Sequence, residues 1–231
     1  MDFVGLSVRL TDEDVAVVTM CNGDNTFTLD YVRTWNQALD FIDTHPKIVG
    51  IITTGEGRSF STGLDVDWLK AQTAQALDEY HEALHKLYKR ILAIGITTVA
   101  AVNGHAIAEG AFIALVHDFR LMREDRGWVQ WPEVHMKLPF TKTMVDIFKL
   151  KVPCVISHRE ALVFGKRLDA KRGVALGIID RAVPAPSLMS EALVTLQKAR
   201  GNMKLDRHFF GVMKEDLYTN YIRRESSAAK L

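Results

Sequence analysis

Two stretches of this chain share one layout, and together they limit what it can fold into. IVGIITT (48–54) runs into GEGRSFSTGLDVDWL, and TTVAAV (97–102) runs into NGHAIAEGAF. Each begins as an apolar, β-branched run of strand length, passes through a loop of glycine and other small residues, and enters a helical segment. Unbroken apolar runs of this length read as strands buried inside a covered sheet. Small residues let backbone approach a ligand closely, and helix amino termini present unpaired N–H groups that favour negative charge. Two such donors converging from different loops make an oxyanion hole. Two glycine turns with structural roles only would explain the same residues equally well. A phosphate-binding loop fits poorly, because no Gly-Lys-Ser/Thr follows either stretch.

The remaining pattern supports an α/β core. VGLSVRL and DVAVVTM alternate apolar and polar residues around TDED, a hairpin signal. Leu29, Val32, Trp35, Leu39 and Ile42 recur at helical spacing over about 28–44, and Pro46 ends that helix. A long helix is expected over about 75–94, a short apolar helix in AEGAFIALVHD, and a strand in HDFRLMR. From about residue 140 the pattern is mostly helical, with turns at Pro153, Gly165, Gly173 and the 184–186 Pro-Ala-Pro, and 207–226 is amphipathic. Strand–helix alternation followed by a helical end argues for an α/β core over 1–185 and a helical part over 186–231.

Net charge is +1 over 231 residues, which gives no bulk-charge reason to bind nucleic acid or a membrane surface. The apolar runs are far too short to span a bilayer. The two cysteines, Cys21 and Cys154, read as buried or idle thiols. HEALH (81–85) begins like a zinc-protease helix, with His81 and His85 one turn apart and Glu82 between them. It continues HKLYKRI, without the glycine and third histidine of the extended motif. Leu84, Leu87, Tyr88, Ile91 and Leu92 make an adequate core face, so His81, Glu82 and His85 read as a polar face and no metal site is assigned. The tripeptide Ala229-Lys230-Leu231 is a near match to the SKL peroxisomal address, an expectation of peroxisomal residence through an import receptor, or of the cytoplasm if the signal is not used.

FSTGLD (60–65), AVNGHA (101–106) leading into a glycine-containing helix start, and WPEVHMKL (131–138) resemble three segments of the crotonase superfamily, the enoyl-CoA hydratase/isomerase family. HD, LMREDRG and PEV resemble, within it, the peroxisomal enoyl-CoA delta isomerases of plants. The resemblance covers about residues 5–200 in order and spacing. It implies a spiral of β-β-α units with a helical C-terminal part, a homotrimer or pair of trimers, and an acyl-CoA thioester as substrate, with CoA belonging to the substrate and no separate cofactor.

Carried over residue by residue, the resemblance makes the backbone N–H groups of Leu64 and Glu109 the oxyanion hole and Glu133 the acid/base. Read alone, Glu133 is equally a helix-start residue favoured by the dipole. In the family role it takes a proton from C2 of a 3-enoyl-CoA and returns it at C4, which favours a raised pKa between apolar walls, for which Trp131, Val134 and Phe140 are the candidates. Ser61, Thr62, Gly63, Leu64, Gly110, Phe112, Trp131 and Phe140 are then expected around the thioester, and Arg58 near the 3′-phosphate of CoA. Asp65 and Asp67 read as caps of the helix that follows. Phe112 stands where hydratases of the family carry a second glutamate, and a phenyl ring cannot activate water. Glu109 departs from the family's glycine. It either brings a second carboxyl to the substrate, opening a hydratase or hydrolase reading, or points to solvent or to a basic partner such as Arg123. An ionised Glu109 aimed at the oxyanion would oppose catalysis.

Overall fold

The structure is a computed structural model and describes residues 1–201 and 206–219. Strands β1 (Asp2–Phe3), β2 (Leu6–Leu10) and β3 (Val15–Met20) form an antiparallel set in which Val8 lies opposite Val18. The TDED turn closes on Thr11, whose hydroxyl accepts from the N–H groups of Glu13 and Val15, with Asp14 at φ +59°.

From β3 onward one unit repeats. A main-sheet strand is followed by a strand of two or three residues, and then by a helix. The first unit is β3, β4 (Thr26–Phe27) and α1 (Leu29–Asp43). The second is β5 (Gly50–Gly55), β6 (Ser59–Ser61) with β7 (Gly63–Leu64), then α2 (Val66–Lys70) and α3 (Ala74–Ala93). The third is β8 (Thr97–Val102), β9 (His105–Ile107) and α4 (Glu109–Leu115); the fourth is β10 (Phe119–Arg123), β11 (Val129–Gln130) and α5 (Glu133–Met136). The short strands pair in parallel across units: β6 and β11 flank β9, and β4 pairs with β7. Successive helix amino termini are thereby delivered to one region.

The chain continues through α6 (Lys142–Lys151), α7 (Val155–His158), α8 (Ala170–Ala175), β12 (Arg181–Val183), α9 (Leu188–Arg200) and α10 (Arg207–Lys214). The seven-stranded main sheet runs β1-β2-β3-β5-β8-β10-β12, parallel from β3 to β12. Helices α1 and α3 bury Val32, Trp35, Leu39, Leu84, Leu87 and Ile91 in the larger core. On the other face, Leu188, Ala192 and Leu196 of α9 pack with Val15, Ile52, Val99 and Leu121. Both faces of the central strands are covered, which is why they carry apolar residues on both faces, such as Ile51 with Ile52 and Val99 with Ala100.

The expected helices at 28–44 and 75–94 and the strands up to β10 fall within a residue or two of their predicted bounds, whereas the helix expected in AEGAFIALVHD stops at Leu115, three residues early. The region beyond 140 is not wholly helical, because Arg181–Val183 pairs with Leu121–Arg123 as the last main-sheet strand. Helix α10 folds back on its own chain: Arg207 donates to the carbonyls of Ile42 and His45, and Lys214 Nζ donates to Ile96 O at 2.8 Å and reaches Asp118 at 2.6 Å. Cys21 and Cys154 are both free and exposed, so burial does not account for either. The tripeptide 229–231 and the end of the amphipathic 207–226 stretch lie outside the described residues.

Candidate active site

Three of the repeating units converge. Leu64 ends β7, Glu109 opens α4 and Glu133 opens α5, so each residue of the expected constellation sits where a short strand hands over to a helix. Their meeting depends on close loop packing. Gly63 has φ +89°, and a Cβ there would lie 2.6 Å from Ile107 O and 2.9 Å from Ala108 Cβ. Gly110 faces Ser61 so closely that a Cβ would stand 2.5 Å from its carbonyl oxygen. Ala108, at the position of the family's first glycine, takes φ +50°, a left-handed conformation that costs a residue with a Cβ about 1–3 kcal/mol.

Both carboxyls are buried: Glu109 is 6% and Glu133 8% exposed. Burial pushes Glu133 up to about 8; its own backbone N–H opposes the shift and the charge of Glu109 adds to it. Oε2 of Glu133 is buried without a hydrogen-bond partner. The apolar wall is aromatic. Phe112, fully buried, has ring centroids 5.8 Å from both Tyr88 and Trp131 and 6.3 Å from Phe140. Val134, in contrast, is 47% exposed and does not line this wall, because the short turn of α5 that buries Glu133 directs the next residue outward.

Glu109 takes neither orientation expected of a solvent-facing residue. Arg123 pairs with Asp125 at 2.6 Å, and Glu109 Oε2 instead accepts from Leu64 N–H at 2.8 Å. Burial raises the Glu109 pKa, while its own backbone N–H and that of Leu64 favour the ionised form. The carboxylate thus rests on the two N–H groups that the resemblance makes the oxyanion hole.

Several expected contact residues serve the loops. The Ser61 hydroxyl donates to Asn25 O at 2.6 Å and accepts from Gly63 N–H at 3.1 Å, which uses it inside the turn. Thr62 donates to Asp24 O, and Asp65 caps α2 by accepting from Trp68 N–H, with Asp67 in its first turn. Arg58 is exposed and groups with Arg126 and Arg167 around His105, whose protonation is opposed first by burial and then by those three charges. Arg167 also lies over the Trp128 ring at 4.5 Å.

Helix α3 carries Tyr88, which the periodicity classed as plain core, and Tyr80, which the sequence pattern did not single out. Tyr80 and Tyr88 are buried, their hydroxyls have no hydrogen-bond partner, and both feel the charge of Glu109. Tyr88 also feels Glu133. A tyrosine three or four positions from apolar neighbours looks like core, and only its unsatisfied hydroxyl marks it as part of the site. The HEALH face is not uniformly polar. His85 is 8% exposed, with a ring nitrogen 2.9 Å from Thr141 Oγ1, whereas Glu82 pairs with Lys86 at 2.8 Å on the surface. His81 stacks on His85 at 6.2 Å, and no group of three or more potential metal ligands occurs among the described residues.

The chain matches the profile of the enoyl-CoA hydratase/isomerase family over residues 11–226. Enoyl-CoA delta isomerase 3 of Arabidopsis thaliana is 35% identical over 178 residues, covering 75% of this chain and 74% of that protein. Peroxisomal enoyl-CoA delta isomerase 2 of the same plant is 34% identical, covering 73% of each. In three dimensions, human mitochondrial delta3-delta2-enoyl-CoA isomerase superposes with a TM-score of 0.86 at 21% identity, covering 94% of this chain and 84% of that one, which establishes the crotonase-like fold. By its sequence profile and its Arabidopsis relatives, this chain belongs to the enoyl-CoA hydratase/isomerase family.

Proposed function

We propose that the protein is an enoyl-CoA delta isomerase that moves the double bond of a 3-enoyl-CoA to the 2-trans position. The observation that carries this reading is Glu133: a buried carboxyl with an unpartnered oxygen and a pKa pushed up to about 8, beside an aromatic wall. As the carboxylate it removes a proton from C2, and the electron pair moves through the thioester to its carbonyl oxygen. The N–H groups of Leu64 and Glu109 stabilise that oxyanion, each worth about 10²–10³ in rate. The protonated Glu133 then returns the proton at C4, leaving the double bond between C2 and C3. Nothing is oxidised or reduced, so substrate and protein suffice. A pKa near the working pH suits a group that must act as base and then as acid. Phe112 and the neighbouring rings keep the dienolate dry.

Arg58, Arg126 and Arg167 supply the positive charge that the phosphates of CoA require. The trimer implied by the family resemblance is consistent with the exposed apolar residues Val155, Ile156, Val163 and Phe164. Peroxisomal residence, with Ala229-Lys230-Leu231 read by an import receptor, is supported by the peroxisomal name of an Arabidopsis relative.

A second reading, hydration or hydrolysis, is favoured by one observation, the Glu109 carboxyl buried within electrostatic reach of Glu133. Isomerisation of 3-enoyl-CoA and hydration of 2-enoyl-CoA, assayed side by side in wild type, Glu133→Gln and Glu109→Gln, separate the two. The expected outcome is loss of isomerisation by about 10²–10⁴-fold in Glu133→Gln alone. Comparable losses in both variants, or hydration exceeding isomerisation in the wild type, would replace the single-carboxylate mechanism.

A further inference from the structure

The Glu109 carboxylate occupies the place where the thioester oxygen has to bind. Its Oε2 lies 2.8 Å from Leu64 N, and its own backbone N–H also faces the carboxylate. A carboxyl oxygen on these two donors stands where the thioester oxygen would, so substrate must compete with a group the chain itself supplies. A second berth is already built. The hydroxyls of Tyr80 and Tyr88 are buried, lack partners, and lie near enough to Glu109 to feel its charge. Buried donors left unmade cost free energy, and a carboxylate arriving there would satisfy them. Both tyrosines come from α3, whereas the hole is made by β7 and α4, so the two positions lie on different elements.

We propose that Glu109 is a two-position side chain, seated in the oxyanion hole of the free enzyme and moved onto Tyr80 and Tyr88 when a thioester binds. It thereby sets substrate affinity. Glu109 acts here as a positioning residue, and the proposal rests on the reading of Leu64 and Glu109 N–H as the hole. One carboxylate oxygen leaves the N–H donors as the thioester oxygen takes them; no covalent bond changes.

The test compares equilibrium binding of a saturated acyl-CoA thioester with that of an S-alkyl-CoA thioether of equal chain length, which lacks the carbonyl. Glu109→Ala is expected to bind the thioester about tenfold more tightly than wild type, since the hydrogen bond from Leu64 N–H to the side chain no longer has to be displaced, with thioether binding unchanged. KM for the 3-enoyl-CoA should fall in parallel. Tyr80→Phe combined with Tyr88→Phe is expected to weaken thioester binding in the wild-type background and leave it unaltered in Glu109→Ala, the signature of coupling between the two positions. Thermal melting establishes that each variant is folded; if Glu109→Ala is not, Glu109→Gln, neutral and of the same size, should tighten the thioester in the same direction. A wild type that prefers thioester to thioether, with no tightening in the folded Glu109 variant, overturns the two-position side chain. Failure of both proteins to distinguish thioester from thioether overturns the oxyanion-hole reading and this inference with it.

Discussion

At the scale of the residue, Glu133 concentrates the chemistry because its environment works against its charge. Burial moves its pKa from the ordinary 4.5 to about 8, and the neighbouring Glu109 adds to the shift. As a base it must be ionised, so kcat/KM for isomerisation is expected to rise about tenfold per pH unit below about pH 8 and then level off. A pH–rate profile measures this directly, and a flat profile between about pH 6 and 8 contradicts the assignment. The same shift has a stability consequence with a definite sign. The folded-state pKa lies above the unfolded one, so the contribution is full below about 4.5, declines as pH rises, and is gone above about 8. Glu133→Gln removes this dependence. Its melting temperature should exceed that of the wild type increasingly as pH rises from about 5 to about 8.

At the scale of the element, the site is a product of loop packing. Ser61 holds the first loop by bonding Asn25 O and Gly63 N–H, and Gly110 fits against Ser61 with no room for a side chain. A methyl group at residue 110 would force Ser61 away and carry Gly63 and Leu64 with it. Gly110→Ala is therefore expected to lower stability by about 1–3 kcal/mol, the usual range for overpacking, and to lower kcat/KM by more than that loss of folded protein explains. Melting and steady-state kinetics on the folded fraction decide it; wild-type values in both would show that the loops are not rigidly coupled. The sequence exposed both loops and their order, because glycine beside apolar strands is a local signal. It did not expose β4, β6, β7, β9, β11 or β12. Strands of two or three residues have no periodicity to detect, and they exist only because a distant strand lies alongside.

At the scale of the whole molecule, the C-terminal segment is tied to the sheet by a buried cation. Lys214 reaches across 118 residues to Ile96 O at 2.8 Å and contacts Asp118 at 2.6 Å, while Asp118 also accepts from Thr98 N–H. Burial lowers the Lys214 pKa, and Asp118 opposes that shift. Lys214→Ala leaves a largely buried carboxylate without its cation and is expected to cost about 3 kcal/mol in denaturant unfolding. A loss below about 0.5 kcal/mol would mean that the helix contributes little to the fold.

The sequence by itself determined the order of the long elements, the two glycine loops and the placing of Glu109 and Glu133 at helix starts, because periodicity, small residues and turn chemistry act between near neighbours. Only the tertiary structure decided where those helix starts point. His85 turned inward to Thr141, Val134 outward, and Tyr80 and Tyr88 toward the carboxyls. It also set the Glu109 carboxylate on Leu64 N–H, a contact spanning 45 residues. Such contacts depend on parallel pairing between remote short strands, and no local pattern in the chain encodes the distance across which they close.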